Sequence, residues 1–207
     1  MTEKPSQNDK EESFPFRQPP FEQLLANAPD SKCDLIDGQY FHHSPASSRH
    51  NKLRQFLESL LTIVVEEKDL GLVFSENFPV KLDESNWREP DIMFIPTDQL
   101  SFLESTIFKG TPSFIIEILS EDSRYRDEVR KRAEYEQLGV AEYWIIDPES
   151  FAKSSFFKLE QQHYQPITFS TDRLKSFILP SFFILKKWIW KLQTPPKLLA
   201  ACKSLGL

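Results

Sequence analysis

Ser113-Phe114-Ile115-Ile116-Glu117-Ile118-Leu119, with Arg124 to Leu138, Gly139 and Ala141-Glu142-Tyr143-Trp144-Ile145-Ile146-Asp147 behind it, sets how this chain folds. The first stretch is apolar at almost every position, which predicts a central strand covered on both faces. A helix is expected from about Arg124 to Leu138, stopped at Gly139, a residue type suited to a helix C-terminus. Ala141 to Asp147 then reads as a second buried strand, closed by Asp147-Pro148.

Towards the N-terminus, Asp37-Gly38 inside Cys33 to Tyr40 is a hairpin signal, and Phe21 to Ala28 a short helix after Pro19-Pro20. From Ser47 to about Lys68, Leu53, Phe56, Leu57, Leu60 and Val64 recur at helical spacing, with Ser47 or Ser48 as cap and Gly71 beyond the end. Strands are expected at Leu72 to Ser75, Phe78 to Leu82, Pro90 to Ile95, Ser155 to Lys158 and His163 to Phe169, and a last helix at Ile184 to Lys191. Residues 1 to 18 are polar and charged and are expected to form a disordered tail; residues 19 to 207 form one domain without internal repeat. The order predicts a mixed α+β (α/β) fold, a mixed sheet flanked by helices. The aromatic stretch Phe182, Phe183, Trp188, Trp190 is expected either to cover the core or to form a subunit contact.

The 207 residues, 40% hydrophobic and 27% charged, describe a globular protein rather than a membrane or fibrous one. The longest apolar run, Leu60 to Val65, is too short to span a bilayer, and the polar start shows no secretory signal, so a cytoplasmic location is expected. Cys33 and Cys202 are too few for a disulfide framework or a zinc cluster and are expected as buried or incidental thiols. The net charge of -6 argues against a static nucleic-acid binder, though not against an enzyme with an acidic centre and local basic patches. The five glycines, Gly38, Gly71, Gly110, Gly139 and Gly206, are too dispersed for a phosphate-cradling loop; a serine nucleophile elbow and a His-Glu-x-x-His helix are also missing.

What carries chemistry is a pair of carboxylates. Asp91 follows Pro90 at the start of one strand, and Glu117 interrupts another. A carboxylate in such surroundings is costly to bury without a cation or several donors to meet it. On neighbouring strands, Asp91 and Glu117 can converge on one hard divalent cation, with the Ile118 carbonyl as a further oxygen ligand. Taken singly, an Asp after Pro is commonly a turn residue and a strand Glu commonly points outward. The helix that follows adds Arg124, Arg126, Arg130, Lys131 and Arg132, diluted by Asp127 and Glu128. Asp127, Lys131 and Tyr135 lie four apart and share a face, from which a lysine can orient water or neutralise a phosphate. The plainer alternative is a solvated, salt-bridged helix face.

Ile116-Glu117-Ile118-Leu119-Ser120, Lys131, Tyr135 and Gly139-Val140-Ala141-Glu142-Tyr143-Trp144-Ile145-Ile146-Asp147-Pro148 together resemble the Uma-two family of restriction-endonuclease-like proteins. Leu35-Ile36-Asp37-Gly38, Ser44-Pro45, His50 and Glu89-Pro90-Asp91 are similar to that family's earlier blocks, so the likeness spans about residues 33 to 190. The resemblance implies the PD-(D/E)XK fold, a restriction-endonuclease-like mixed sheet, with Asp91 and Glu117 as the acids around Mg²⁺, for which Mn²⁺ can substitute. In the superfamily's commonest pattern a lysine stands two residues after the second acid. Here that position is Leu119, and the resemblance implies Lys131 of the following helix instead. It also marks His50 as an accessory or substrate-facing group, against a capping or packing role. Tyr135 and Trp144 read as core, His42, His43 and His163 show no ligand spacing, and Glu89 and Glu142 receive no role.

The leading expectation is a Mg²⁺-dependent endonuclease hydrolysing DNA phosphodiester bonds, with DNA as partner, a homodimer in keeping with the fold, and no membrane. Asp91, Glu117 and Lys131 would be catalytic, and the Arg124 to Arg132 cluster would guide the backbone. The alternative is a catalytically inactive nuclease-fold binding or assembly protein, favoured by the acidic charge and by Leu119. A hydrolase of nucleotides or other small phosphoesters is a third reading, weakened by the missing phosphate loop.

Overall fold

The structure is a computed structural model that describes residues 19–120, 123–169, 171–191 and 194–207. The tail expected at 1–18 lies outside the described residues. The elements in chain order are α1 (Phe21–Ala26), β1 (Cys33–Ile36), β2 (Gln39–His42), α2 (Ser48–Glu66), β3 (Gly71–Ser75), β4 (Val80–Lys81), β5 (Trp87–Arg88), β6 (Ile92–Pro96) and β7 (Phe114–Ile118). After β7 come a π-helical turn (Arg126–Lys131) running directly into α3 (Arg132–Leu138), β8 (Glu142–Ile146), β9 (Ser155–Glu160), β10 (His163–Pro166), β11 (Arg173–Lys175), β12 (Phe183–Leu185), α4 (Lys186–Trp190) and α5 (Leu198–Leu205). Short 3₁₀ turns occupy Thr97–Phe102 and Phe151–Lys153.

The main sheet has six strands in the order β10-β9-β8-β7-β6-β3. In it β7 and β8 run parallel, joined by the helix between them, while β6 pairs antiparallel with β7 through Ile92↔Ile116 and Phe94↔Phe114. All five residues of β7 and of β8 are buried, as their apolar sequence anticipates. One sheet face carries Phe114, Ile116, Ile118, Trp144 and Ile146 against Leu57, Leu60 and Val64 of α2 and against Phe182, Ile184 and Trp188 from the C-terminal region. The other face carries Met93, Ile115, Tyr143 and Ile145 against Tyr135 of α3.

A smaller sheet, β2-β1-β5-β4, stands beside the first. Its β1–β2 hairpin turns at Asp37 and Gly38, both at positive φ (50° and 76°), the geometry that an Asp-Gly pair supplies at least cost. A short two-stranded ribbon pairs β11 with β12.

Several expectations shift. Phe78 to Leu82 contributes only the two residues of β4, and these join the small sheet through β5. The expected helix at Ile184 to Lys191 begins inside strand β12 and becomes helical only at Lys186. Of the two expectations for Phe182, Phe183, Trp188 and Trp190, covering the core is the one the fold uses. Cys33 and Cys202 are buried free thiols. No helix among the described residues is long and apolar enough to cross a membrane.

Candidate metal and active site

Pairing Ile92 with Ile116 brings the residue before β6 opposite the next residue of β7, so Asp91 meets Glu117 across the strand pair. Their parity along the strands matches Met93 and Ile115, which puts both acids on the α3 side of the sheet. The Asp91 N–H points at Glu117 Oε2 at 3.4 Å, and the Ile118 N–H donates to Asp91 Oδ2 at 2.8 Å. A side-chain oxygen thus takes the place of a ladder carbonyl where β6 begins. Both acids are almost wholly buried.

Each carboxylate is met by cations from a different layer. Lys131 Nζ, at the end of the π turn, donates to Glu117 Oε1 at 2.8 Å and lies 3.2 Å from Asp127 Oδ1. The Tyr135 hydroxyl donates to the same Glu117 oxygen at 3.1 Å. His50 reaches Asp91 Oδ2 with Nε2 at 3.1 Å from the first turn of α2, where its own N–H is capped by the Ser47 hydroxyl. Lys32, just before β1, donates to Asp91 Oδ1 at 2.6 Å. Asp91, Glu117, Lys131 and His50, with Ile118 and Arg126, line a cleft of about 230 Å³ whose other wall is the Ser31–Lys32 and His42–Ala46 stretches.

Charge coupling follows from that geometry. Burial opposes ionisation of Asp91, but Lys32 and His50 outweigh it and hold the carboxyl well below the ordinary range. Burial pushes Glu117 up to about 7; Lys131 works against this, and the neighbouring charges of Asp91 and Asp127 add to it. Lys131 stays charged above its usual range because Asp127 and Glu117 overcome its desolvation. His50 is likewise raised, its burial outweighed by the Asp91 hydrogen bond.

A further layer of buried charge holds the cleft wall in place. Asp34 on β1 accepts the Glu89 N–H at 3.1 Å and faces His43 Nε2 at 3.2 Å and Arg88 at 3.8 Å. Arg88, with no exposed surface, forks onto Glu134 of α3 through Nε at 2.7 Å and through Nη2 at 2.5 Å. Glu89 is pushed up to about 7 by burial and accepts the Cys33 N–H.

The donor set suits a hard divalent cation. Two adjacent carboxylates, one held short of full ionisation by burial and by its acidic neighbour, gain from a cation placed between them. Among the described residues Glu117 Oε2 meets only the long contact from the Asp91 N–H, so it keeps acceptor capacity. Among the described residues no three His, Cys, Asp or Glu side chains gather around one point. A cation here would therefore draw on Asp91, Glu117 and the Ile118 carbonyl, completing its shell with solvent or substrate oxygens.

The structure brings Asp91, Glu117, Ile118 and Lys131 together, and adds His50 to them. The basic cluster is mostly spoken for. Arg124 pairs with Glu128 and Asp147, Arg130 with Asp37 and Glu134, and Arg132 lies over the Phe157 ring. Among the described residues Arg126 alone of the arginines lines the cleft, its Nε buried without an acceptor. Tyr135, expected as core, is core and also touches Glu117, whereas Trp144 is core alone. Sequence reasoning missed Lys32, Asp34 and Arg88, because they come from the small sheet and the stretch just before it, and nothing in their local spacing marks them. Glu142 is a structural acceptor, taking N–H groups of Phe177 and Ile178 and the hydroxyl of Ser176.

Residues 19–185 match the family model Uma2, described as "Putative restriction endonuclease". An uncharacterized protein of Synechocystis sp. is 25% identical over 137 residues, which are 66% of this chain and 73% of that protein. Among solved structures, a protein of Anabaena variabilis described as a putative nuclease belonging to DUF820 superposes with a TM-score of 0.67 at 17% identity, covering 83% of this chain and 97% of the other. That likeness establishes a shared fold.

Proposed function

The chain belongs to the Uma2 family, and from that premise we propose that it is a metal-dependent nuclease that hydrolyses DNA phosphodiester bonds. The observation that carries the reading is the meeting of Asp91 and Glu117 across the β6–β7 pair, in a cleft that also holds Lys131. The descriptions of the family and of the Anabaena protein support a nuclease in general. Mg²⁺, with Mn²⁺ as substitute, and DNA are the finer parts of the proposal.

Asp91 and Glu117 would hold the cation with the Ile118 carbonyl. Bound there, it supplies a positive charge for the phosphoryl oxygens and acidifies water at neutral pH. Lys131 works against the burial that pushes Glu117 towards its neutral form, and Asp127 and Tyr135 fix where that ammonium and that carboxylate sit. His50 orients the Asp91 carboxylate through Oδ2. Arg126, unanswered at Nε, faces the cleft and offers a donor to a backbone phosphate.

Asp91→Ala is expected to abolish Mg²⁺-dependent cleavage of plasmid DNA by the purified protein. Cleavage at the wild-type rate in that variant would refute the reading.

One observation favours a second reading, a nuclease fold that binds without cutting. Both oxygens of Asp91 are already satisfied by Lys32, His50 and the Ile118 N–H. Calorimetry separates the two, since a non-catalytic protein of this kind takes up no Mg²⁺ or Mn²⁺ at millimolar concentration.

A further inference from the structure

Three basic side chains meet the two acids, and they are not equivalent. Lys131 is 1% exposed, grows from the middle of a helix and is gripped by Glu117 and Asp127 together. His50 is held in the first turn of α2. Lys32 is 18% exposed and sits in the non-helical, non-strand stretch ahead of β1, on the rim of the cleft. Among the described residues its single ion-pair contact is the 2.6 Å bond to Asp91 Oδ1. Of the three, Lys32 is the cation that can leave without unpacking an element.

Its position is also the informative one. The Asp91 Oδ2 atom is engaged by His50 and by the Ile118 N–H, and Glu117 Oε1 by Lys131 and Tyr135. The oxygen of Asp91 that an incoming cation can gain is therefore Oδ1, the one Lys32 covers. An ammonium and a divalent ion cannot both sit in contact with one carboxylate oxygen without strong repulsion at that range. We propose that Lys32 is a built-in counter-ion for Asp91, displaced into the cleft when a divalent cation binds, so that ion uptake and the Lys32–Asp91 bond exclude one another. This rests on the metal-binding reading given above, and makes Lys32 a positioning residue whose bond sets how tightly the ion is held.

The test uses the full chain and Mn²⁺ alone. Lys32→Met is expected to bind Mn²⁺ about tenfold or more tightly by calorimetry, and to gain more in Tm from added Mn²⁺ than the wild type does, because the competitor is gone. Lys32→Arg keeps the competing charge and is expected to gain nothing. In the wild type, brief acetylation read by mass spectrometry should label Lys32 more heavily once Mn²⁺ is present, while Lys131 stays protected. That arm needs no variant and decides the matter if Lys32→Met does not fold. Mn²⁺ binding of equal strength in wild type and Lys32→Met, or Lys32 labelling that Mn²⁺ leaves unchanged, overturns the counter-ion role alone. No Mn²⁺ uptake by either protein overturns the metal reading and this inference together.

Discussion

Asp34 shows how much of the cleft rests on charges that never touch a substrate. Its carboxylate is buried, which opposes ionisation, yet Lys131, His43 and Arg88 together depress it below the ordinary 3.8. A depressed acid contributes stability that is complete above 3.8 and lost as the pH falls towards the folded-state value. Asp34→Asn keeps the shape and removes the charge, leaving Arg88 with Glu134 as its remaining carboxylate partner. It is expected to cost about 3 kcal/mol at pH 7, in the range found when one partner of a buried pair is lost. Urea unfolding at descending pH should show that cost shrinking once the pH drops below 3.8, because the wild type then loses the same interaction. A cost that stays constant down to pH 3 would mean that the charge of Asp34 is not what holds the wall.

The π turn at Arg126–Lys131 is the element that brings buried charge to the cleft. Its i→i+5 bonding widens one turn by a residue, and such turns recur at functional sites. Here it leaves Asp127 and Lys131 both buried at the cleft while α3 continues with Tyr135 in the core. Deleting Val129, 51% exposed, removes no core contact and restores ordinary helical register. With Tyr135 and the Gly139 cap anchoring the C-terminal half, closing the wide turn keeps the residues before the deletion on the same face but draws Asp127 to three residues from Lys131 instead of four. Asp127 then holds the Lys131 ammonium at a changed angle and shifts it from its place on Glu117. Cation-dependent cleavage is expected to fall roughly a hundredfold, with the far-UV circular dichroism preserved; full cleavage by the deletion variant would show that the wide turn is incidental. Helical spacing revealed that Asp127, Lys131 and Tyr135 share a face, but nothing in residue type announces a π register. The same contrast runs through the strands. β7 and β8 were legible because an unbroken apolar run of that length suits little besides a strand covered on both faces, and the hairpin because few turns other than its own favour Asp-Gly. β5 was not, since it is two residues long and its Arg88 is buried only by virtue of partners distant in sequence.

At the scale of the molecule, the site sits at one end of a sheet clamped between two dissimilar layers. Asp91 and Glu117 were readable as a pair because the sequence places one acid against each of two apolar strands. The third wall of the cleft was not readable, since a separate sheet brings Lys32 there. The opposite face is closed by residues after β10, with Phe182 packed on Phe114 and Trp144. Phe182→Ala is expected to cost about 3–5 kcal/mol. Because the lost packing lies on the far face of the sheet, metal affinity measured below the lowered melting temperature should be unchanged. A matching fall in affinity would mean that the far face and the cleft are mechanically linked.

The parallel pairing of β7 with β8 carries a further consequence, for how the molecule comes into being. Such a pair cannot zip up from a tight turn; the intervening helix must be made and folded back first, so closure waits on contacts remote along the chain. Every side chain of the cleft has left the ribosome by Tyr135, yet α2 covers only part of the sheet behind them, and the rest of that layer arrives with residues 174 to 202. Synthesis therefore delivers the acids and their lysines well before the whole scaffold that aligns them, and the cleft takes its final shape only once residues 174 to 202 have docked.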